Sequence, residues 1–167
     1  MEAIRAEDSK YKLGLWVRDG AAGIGTITYY EPSSQNFAAL GHGIVDIDTE
    51  KLIKISSGEV VTTRMSSIVK GKEGVPGEIR GSIVNSQTIG TVGQNTEFGI
   101  YGKVTNTSQF NLDNLEELQV AKRNEIKQGE AKILLAIEGG ERKEYNIEIT
   151  KIYKNNNSNN KSMLIKV

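Results

Sequence analysis

Short stretches of alternating apolar and polar residues recur along most of the chain. Such alternation places every second side chain on one face, as in a half-buried β-strand. Turn-forming residues separate the stretches by roughly 8 to 12 residues, which is typical of a β-sandwich or barrel. The pattern predicts a mainly β fold. The predicted strands are Lys12–Arg18, Ile24–Tyr30, Phe37–Leu40, Leu52–Ile55, Val60–Val69, Ile79–Val84, Ile89–Val92, Phe98–Val104, Ala131–Ile137, Lys143–Tyr153 and Ser162–Val167.

Turn residues predict two hairpins among these strands. Asp19 and Gly20 lie between the first two strands, and residues 138–141 hold two glycines between two later ones. Two segments depart from the strand pattern. Leucines at near-helical spacing predict at most one short helix within 112–127, and the Asn-rich run 154–161 predicts an exposed loop.

Composition narrows the classes of function. Apolar residues make up 37% of the 167, which predicts a thin core. Lys plus Arg and Asp plus Glu both number 21, so the formal net charge is zero, and no basic stripe is present to bind nucleic acid. The chain has no cysteine, which excludes disulfides, thiol catalysis and Cys-based zinc sites. The aromatic residues are dispersed and supply no sugar-binding platform, and no cofactor is expected.

The only histidine, His42, lies between Gly41 and Gly43 directly after an apolar strand. The two glycines allow a sharp turn and the close approach of another segment. Imidazole titrates near neutral pH and can accept a proton from a serine hydroxyl. By residue type alone, a lone loop histidine without a catalytic role is the more frequent explanation.

Three acidic residues, Asp46, Asp48 and Glu50, alternate just after this histidine. Clustered carboxylates are potential ligands for a hard cation, but the EF-hand pattern fails at its sixth and twelfth positions. A solvated turn or strand edge is the favoured interpretation. Asp46 is also four residues from His42, which leaves open that it orients the imidazole.

No segment of the chain has the pattern of a serine nucleophile or a phosphate site. The glycines within 20–25 and 71–77 lack the P-loop and dinucleotide-binding patterns, so both segments predict backbone turns. The second segment, Gly71–Glu78, is compact enough to be an ordered functional loop. Neither Gly-x-Ser-x-Gly nor Gly-x-Ser-Gly occurs. The residues by themselves therefore predict a β-rich domain and no specific activity.

Three groups of segments, in this order and spacing, closely resemble the peptidase domain of the SpoIVB family of endospore-forming bacteria. They are Leu15–Asp19 with Ala22–Thr26, Ala39–His42 with Asp46–Thr49, and Gly74–Glu78. The similarity runs from about Lys10 to Val167. It implies a serine endopeptidase domain of the chymotrypsin-like β-barrel type that acts on protein substrates. His42 matches the histidine of the family's Gly-His motif, which implies a catalytic role as general base.

The resemblance also implies domain boundaries and a cellular setting. Residues 1–9 are expected to be a linker, and residues 10–167 a peptidase domain that is incomplete at its C-terminus. Family members carry a membrane-targeting segment and a PDZ domain upstream, and downstream an aspartate and a serine in a Gly-x-Ser-Gly turn. The expected setting is extracytoplasmic, between forespore and mother cell, where a membrane-associated parent protein takes part in regulated proteolysis.

Since the aspartate and the serine are not on this chain, it is predicted to be inactive by itself. The exposed edge of its last strand predicts homodimer formation. The alternative function is a non-catalytic β-barrel binding module that lacks the catalytic half.

Overall fold

The computed structural model describes residues 4–5, 11–12, 20–46, 48–75, 77–108, 115–136, 142–154 and 162–167. These residues form ten strands and no helix, which confirms the mainly β class predicted from the sequence and is consistent with the chymotrypsin-like barrel type. The strands are β1 (Ile4–Arg5), β2 (Tyr11–Lys12), β3 (Ile27–Glu31), β4 (Asn36–Ala39), β5 (Gly58–Val69), β6 (Glu78–Thr96), β7 (Gly99–Val104), β8 (Gly129–Leu135), β9 (Lys143–Ile152) and β10 (Met163–Lys166).

The ten strands form three sheets. A five-stranded sheet has the order β3-β4-β7-β6-β5, a three-stranded sheet the order β10-β9-β8, and β1 pairs with β2. The ladders with a described register are antiparallel. β10 is thus the terminal strand of its sheet, and homodimer formation through its edge stays a prediction.

The chain divides into two compact units. The first comprises residues 1–60 and 90–105, and its described core is formed by Phe37, Ala38 and Val104. β4 lies between β3 and β7, so Phe37 pairs with Tyr30 on one side and with Gly102 on the other. The small buried set agrees with the thin core predicted from the composition.

The second unit comprises residues 61–89 and 106–167. Ile147 of β9 and Ile89 of β6 are buried in it. The segment that joins β5 to β6 closes in a tight turn, in which the backbone groups of Lys72 and Val75 exchange two hydrogen bonds of 2.9 Å. Gly74 has a φ of +75°, which favours glycine at this turn position. The described residues of the predicted loop thus form a tight turn, and a functional role for the loop stays a prediction.

Several predicted elements differ from the structure. Leu52–Ile55 is not a strand, since only Leu52 forms a single bridge, to Val45. The strands predicted at Ile79–Val84 and Ile89–Val92 are one continuous strand, β6, because the polar residues between them still pair within the sheet. The helix expected within 112–127 is absent from its described part, 115–127.

Other predictions lie wholly or partly outside the described residues. This holds for residues 13–19 of the first hairpin, the turn at 138–141 and most of the Asn-rich loop. The second strand of the first predicted hairpin is confirmed as β3, which pairs with β4. The hairpin of β8 and β9 is confirmed by a continuous register from Gly129 to Leu135. Among the described residues, none forms a helix long and apolar enough to cross a lipid bilayer.

Candidate active site

His42 lies on a strained turn that directly follows β4. The amide of Leu40 donates to the carbonyl oxygen of Thr26 at 3.1 Å. The amide of Gly41 donates to the carbonyl oxygen of Ala39, also at 3.1 Å. Leu40 and Gly41 have φ angles of +75° and +80°. A positive φ is uncommon for a bulky residue such as leucine and costs on the order of 1–3 kcal/mol. Backbone strain of this kind is concentrated at functional sites, which makes the turn a candidate.

The two glycines beside His42 are required for different reasons. Gly41 has open space around it, and its positive φ alone disfavours a side chain. Gly43 has no such φ, but a methyl group there would lie 2.5 Å from the carbonyl oxygen of Thr96 and would overlap Leu52. Both predicted uses of the glycines, the sharp turn and the close approach, therefore occur, one at each position.

This difference predicts opposite rankings of substitutions at the two positions. Gly41→Asn should destabilise the chain less than Gly41→Ala, because asparagine tolerates the left-handed conformation, which costs alanine about 1–2 kcal/mol. Gly43→Asn should destabilise it more than Gly43→Ala, because the larger side chain meets the same backbone oxygen. The free energy of unfolding in denaturant measures both pairs. The same ranking at both positions would contradict this explanation.

The imidazole of His42 is exposed, and its Nδ1 atom lies 3.1 Å from the carbonyl oxygen of Gly43. A carbonyl oxygen only accepts, so Nδ1 carries the hydrogen in this bond. The neutral ring then has its lone pair on Nε2, and within the described part of the chain no residue bonds Nε2. This arrangement presents a proton acceptor to solvent.

A small hairpin follows the histidine. The amide of Ile53 donates to the carbonyl oxygen of Ile44 at 3.0 Å, and the amide of Asp46 donates to the carbonyl oxygen of Lys51 at 2.8 Å. The side chain of Asn95 on β6 bonds both Ile44 and Ile53. The hairpin is thereby attached to β6 through a side chain.

Asp46 closes the end of this hairpin. Its Oδ1 accepts hydrogen bonds from the amides of Asp48 and Thr49 at 3.1 and 2.9 Å and from the Thr49 hydroxyl at 3.0 Å. The favoured turn interpretation of the acidic residues is confirmed, and no cluster among the described residues is arranged to hold a metal ion. An orienting role of Asp46 toward His42 stays a prediction.

An open groove adjoins the hairpin in the same unit. It is lined by Leu52, Asn95, Thr96, Glu97, Phe98 and Tyr101. Leu52 and Phe98 expose 42% and 56% of their surface, so the groove offers apolar side chains to solvent. Neither the groove nor Asn95 could be predicted from the sequence, because residues 93–97 lie between two predicted strands and match no motif.

Two of the segments that carry the family resemblance meet at Leu40. Gly25 packs directly against the Leu40 side chain, so Ala22–Thr26 and Ala39–His42 together form the support of the histidine turn. Leu15–Asp19 lies outside the described residues. The described residues of Gly74–Glu78 belong to the second unit.

Comparison with known proteins identifies the family. No curated protein and no solved structure matches the chain. The family model described as "SpoIVB peptidase S55" matches residues 9–167, which include the histidine turn, the first compact unit from residue 9 onward and all of the second unit. This extent agrees with the similarity inferred from the sequence motifs. The chain therefore belongs to the S55 family of SpoIVB peptidases and is a peptidase domain of that family.

Proposed function

We propose that this chain supplies the general base of a serine endopeptidase and that His42 is the base. The observation that carries the proposal is the exposed imidazole on a strained turn, with Nδ1 bonded to the Gly43 carbonyl and the lone pair on Nε2 directed away from that bond. Membership of a peptidase family supports a protein substrate. The position of the histidine in the family's Gly-His motif supports its role.

In the proposed reaction, Nε2 of His42 accepts the proton of a serine hydroxyl as the oxygen attacks the scissile carbonyl. The protonated ring then donates this proton to the leaving amine, and water repeats the sequence on the acyl-enzyme. Backbone amides would stabilise the oxyanion. The 167 residues contain no Gly-x-Ser-Gly turn, so the serine and its aspartate are proposed to lie on a segment following Val167.

A cleavage assay on two purified proteins tests this proposal. The 167-residue chain by itself should not hydrolyse an unstructured protein substrate, because loss of the nucleophile lowers the rate by on the order of 10⁶. A gene product that continues into a Gly-x-Ser-Gly turn should hydrolyse it. His42-dependent cleavage by the shorter protein would contradict the proposed division of the catalytic residues. A gene that ends at Val167 would favour the non-catalytic binding module.

The proposed setting is the space between forespore and mother cell, where the membrane-associated parent protein cleaves a partner and starts regulated proteolysis. The support for this setting is family membership. A fluorescent fusion of the complete gene product in sporulating cells should give a signal between the two membranes. A signal confined to the mother-cell cytoplasm, or normal spore formation after deletion of the gene, would count against it.

A further inference from the structure

We infer that Asn95 is a positioning residue for His42, which it holds in the Nδ1–H tautomer through the Gly43–Ile44 peptide group. The importance of this tautomer for catalysis depends on the proposed function. The positioning itself depends only on the geometry of five residues within one compact unit, namely His42, Gly43, Ile44, Ile53 and Asn95.

The amide of Asn95 makes three short hydrogen bonds in a half-buried position. Its Oδ1 accepts from the Ile44 amide at 2.9 Å, and its Nδ2 donates to the carbonyl oxygens of Ile44 and Ile53 at 2.8 and 2.9 Å. Only one orientation of the amide satisfies one backbone donor and two backbone acceptors together. The position of Oδ1 opposite the Ile44 N–H is therefore determined by three contacts.

The Ile44 N–H and the Gly43 carbonyl belong to the same peptide group. No cis peptide bond is present among the described residues, so this group is planar and trans, and its N–H and C=O point in opposite directions. When Asn95 fixes the direction of the N–H, it also fixes the direction of the carbonyl. That carbonyl is the one that accepts from Nδ1 of His42 at 3.1 Å.

The chain of contacts therefore runs from Asn95 Oδ1 to the Ile44 N–H, through one rigid plane, to the Gly43 oxygen and the imidazole. Hydrogen bonds in such a series also polarise one another, so donation by the N–H makes the carbonyl a better acceptor. Gly43 is the residue that permits this arrangement, because a methyl group there would lie 2.5 Å from the carbonyl oxygen of Thr96, the neighbour of Asn95. Loss of the contact to Oδ1 would free the peptide plane to rotate.

The mechanism makes a specific distinction between two substitutions in this region. Asn95→Ala loses all three bonds, including the acceptor of the Ile44 N–H. Thr49→Val loses one hydrogen bond of the same hairpin but leaves the Ile44 N–H bonded to Asn95. If any loosening of the hairpin changed the imidazole, both variants would lose the tautomer. If Asn95 positions His42, only Asn95→Ala should lose it. Aspartate is not a suitable replacement for Asn95, because its second oxygen would face the carbonyl oxygens of Ile44 and Ile53, and a carboxylate oxygen only accepts.

The tautomer can be measured directly because His42 is the only histidine. In the ¹⁵N-labelled 167-residue chain at alkaline pH, where histidine is neutral, long-range ¹H–¹⁵N correlation spectra give one set of ring nitrogen shifts. We expect the wild type to show the proton mainly on Nδ1. Asn95→Ala should lose this pattern, with the Nδ1–H form falling to a minor population.

Three results would overturn the inference. They are a wild-type ring protonated mainly on Nε2, a folded Asn95→Ala with the wild-type pattern, and a Thr49→Val variant that loses the pattern as alanine does. If Asn95→Ala does not fold, Asn95→Ser replaces it in the experiment. The serine side chain is too short to reach the Ile44 amide, so Asn95→Ser should also lose the Nδ1–H pattern.

Thr49→Val is the matched control, because it removes a hydrogen bond from the same hairpin without touching the Gly43–Ile44 peptide. It should keep the wild-type tautomer, and loss of the pattern in this variant would show that general loosening of the hairpin is sufficient. The measurement needs no catalysis. Failure of the proposed function therefore appears in the cleavage assay, and failure of the positioning role appears in the spectra.

Discussion

Replacement of His42 by glutamine should abolish peptide hydrolysis in a gene product that also carries the family's serine. Loss of the histidine from a serine peptidase lowers kcat by on the order of 10⁶, because the remaining groups cannot remove the serine proton. Glutamine is similar in size and keeps a donor for the Gly43 carbonyl, so the turn should persist while the proton acceptor is lost. KM should change little, because the general base acts mainly in the transition state.

Steady-state kinetics on a protein substrate measures this effect, with Lys54→Gln as the control. Lys54 is exposed and its charge lies in the same unit, but it is not a part of the proposed machinery. The control should keep wild-type kcat. A His42→Gln variant whose kcat stays within tenfold of wild type would remove His42 from the role of general base, even if the enzyme is a peptidase.

Replacement of Phe37 by alanine should destabilise the chain by about 3–5 kcal/mol. Phe37 is 1% exposed and is the largest side chain that is fully buried among the described residues. Its strand pairs on both sides, and its ring lies directly over Gly102, where a methyl group would come within 2.8 Å of it. Since few other residues among those described are buried in this unit, neighbouring side chains cannot fill the cavity without distortion of the sheet.

Phe98→Ala is the matched control, since it removes the same ring from the same unit at a site that is 56% exposed. It should lower the free energy of unfolding by much less. Chemical denaturation followed by fluorescence or circular dichroism gives both values. Equal losses in the two variants would show that Phe37 does not dominate this core. β4 leads directly into the turn of His42. A large decrease in the stability of Phe37→Ala should therefore also disrupt the candidate site.

Local patterns predicted the strands well where both ends of a strand carry apolar alternation. β5, β7 and β9 were identified close to their observed bounds for this reason. The prediction failed where pairing does not depend on apolar side chains. β6 continues through a polar stretch because backbone hydrogen bonds to its neighbours are indifferent to side-chain type, whereas Leu52–Ile55 has the right pattern but only one backbone bridge.

The sequence by itself determined the mainly β class and the absence of thiol and cysteine–metal chemistry, and its motif made His42 the candidate general base. These follow from local periodicity, from composition and from the spacing of a few residues along the chain. Only the tertiary structure decided how that histidine is held. Gly43 must be glycine because Thr96, more than fifty residues away in sequence, occupies the space of a side chain, and Asn95 reaches Ile44 across the same distance. Contacts between such distant segments depend on how the strands pair, which no local pattern contains.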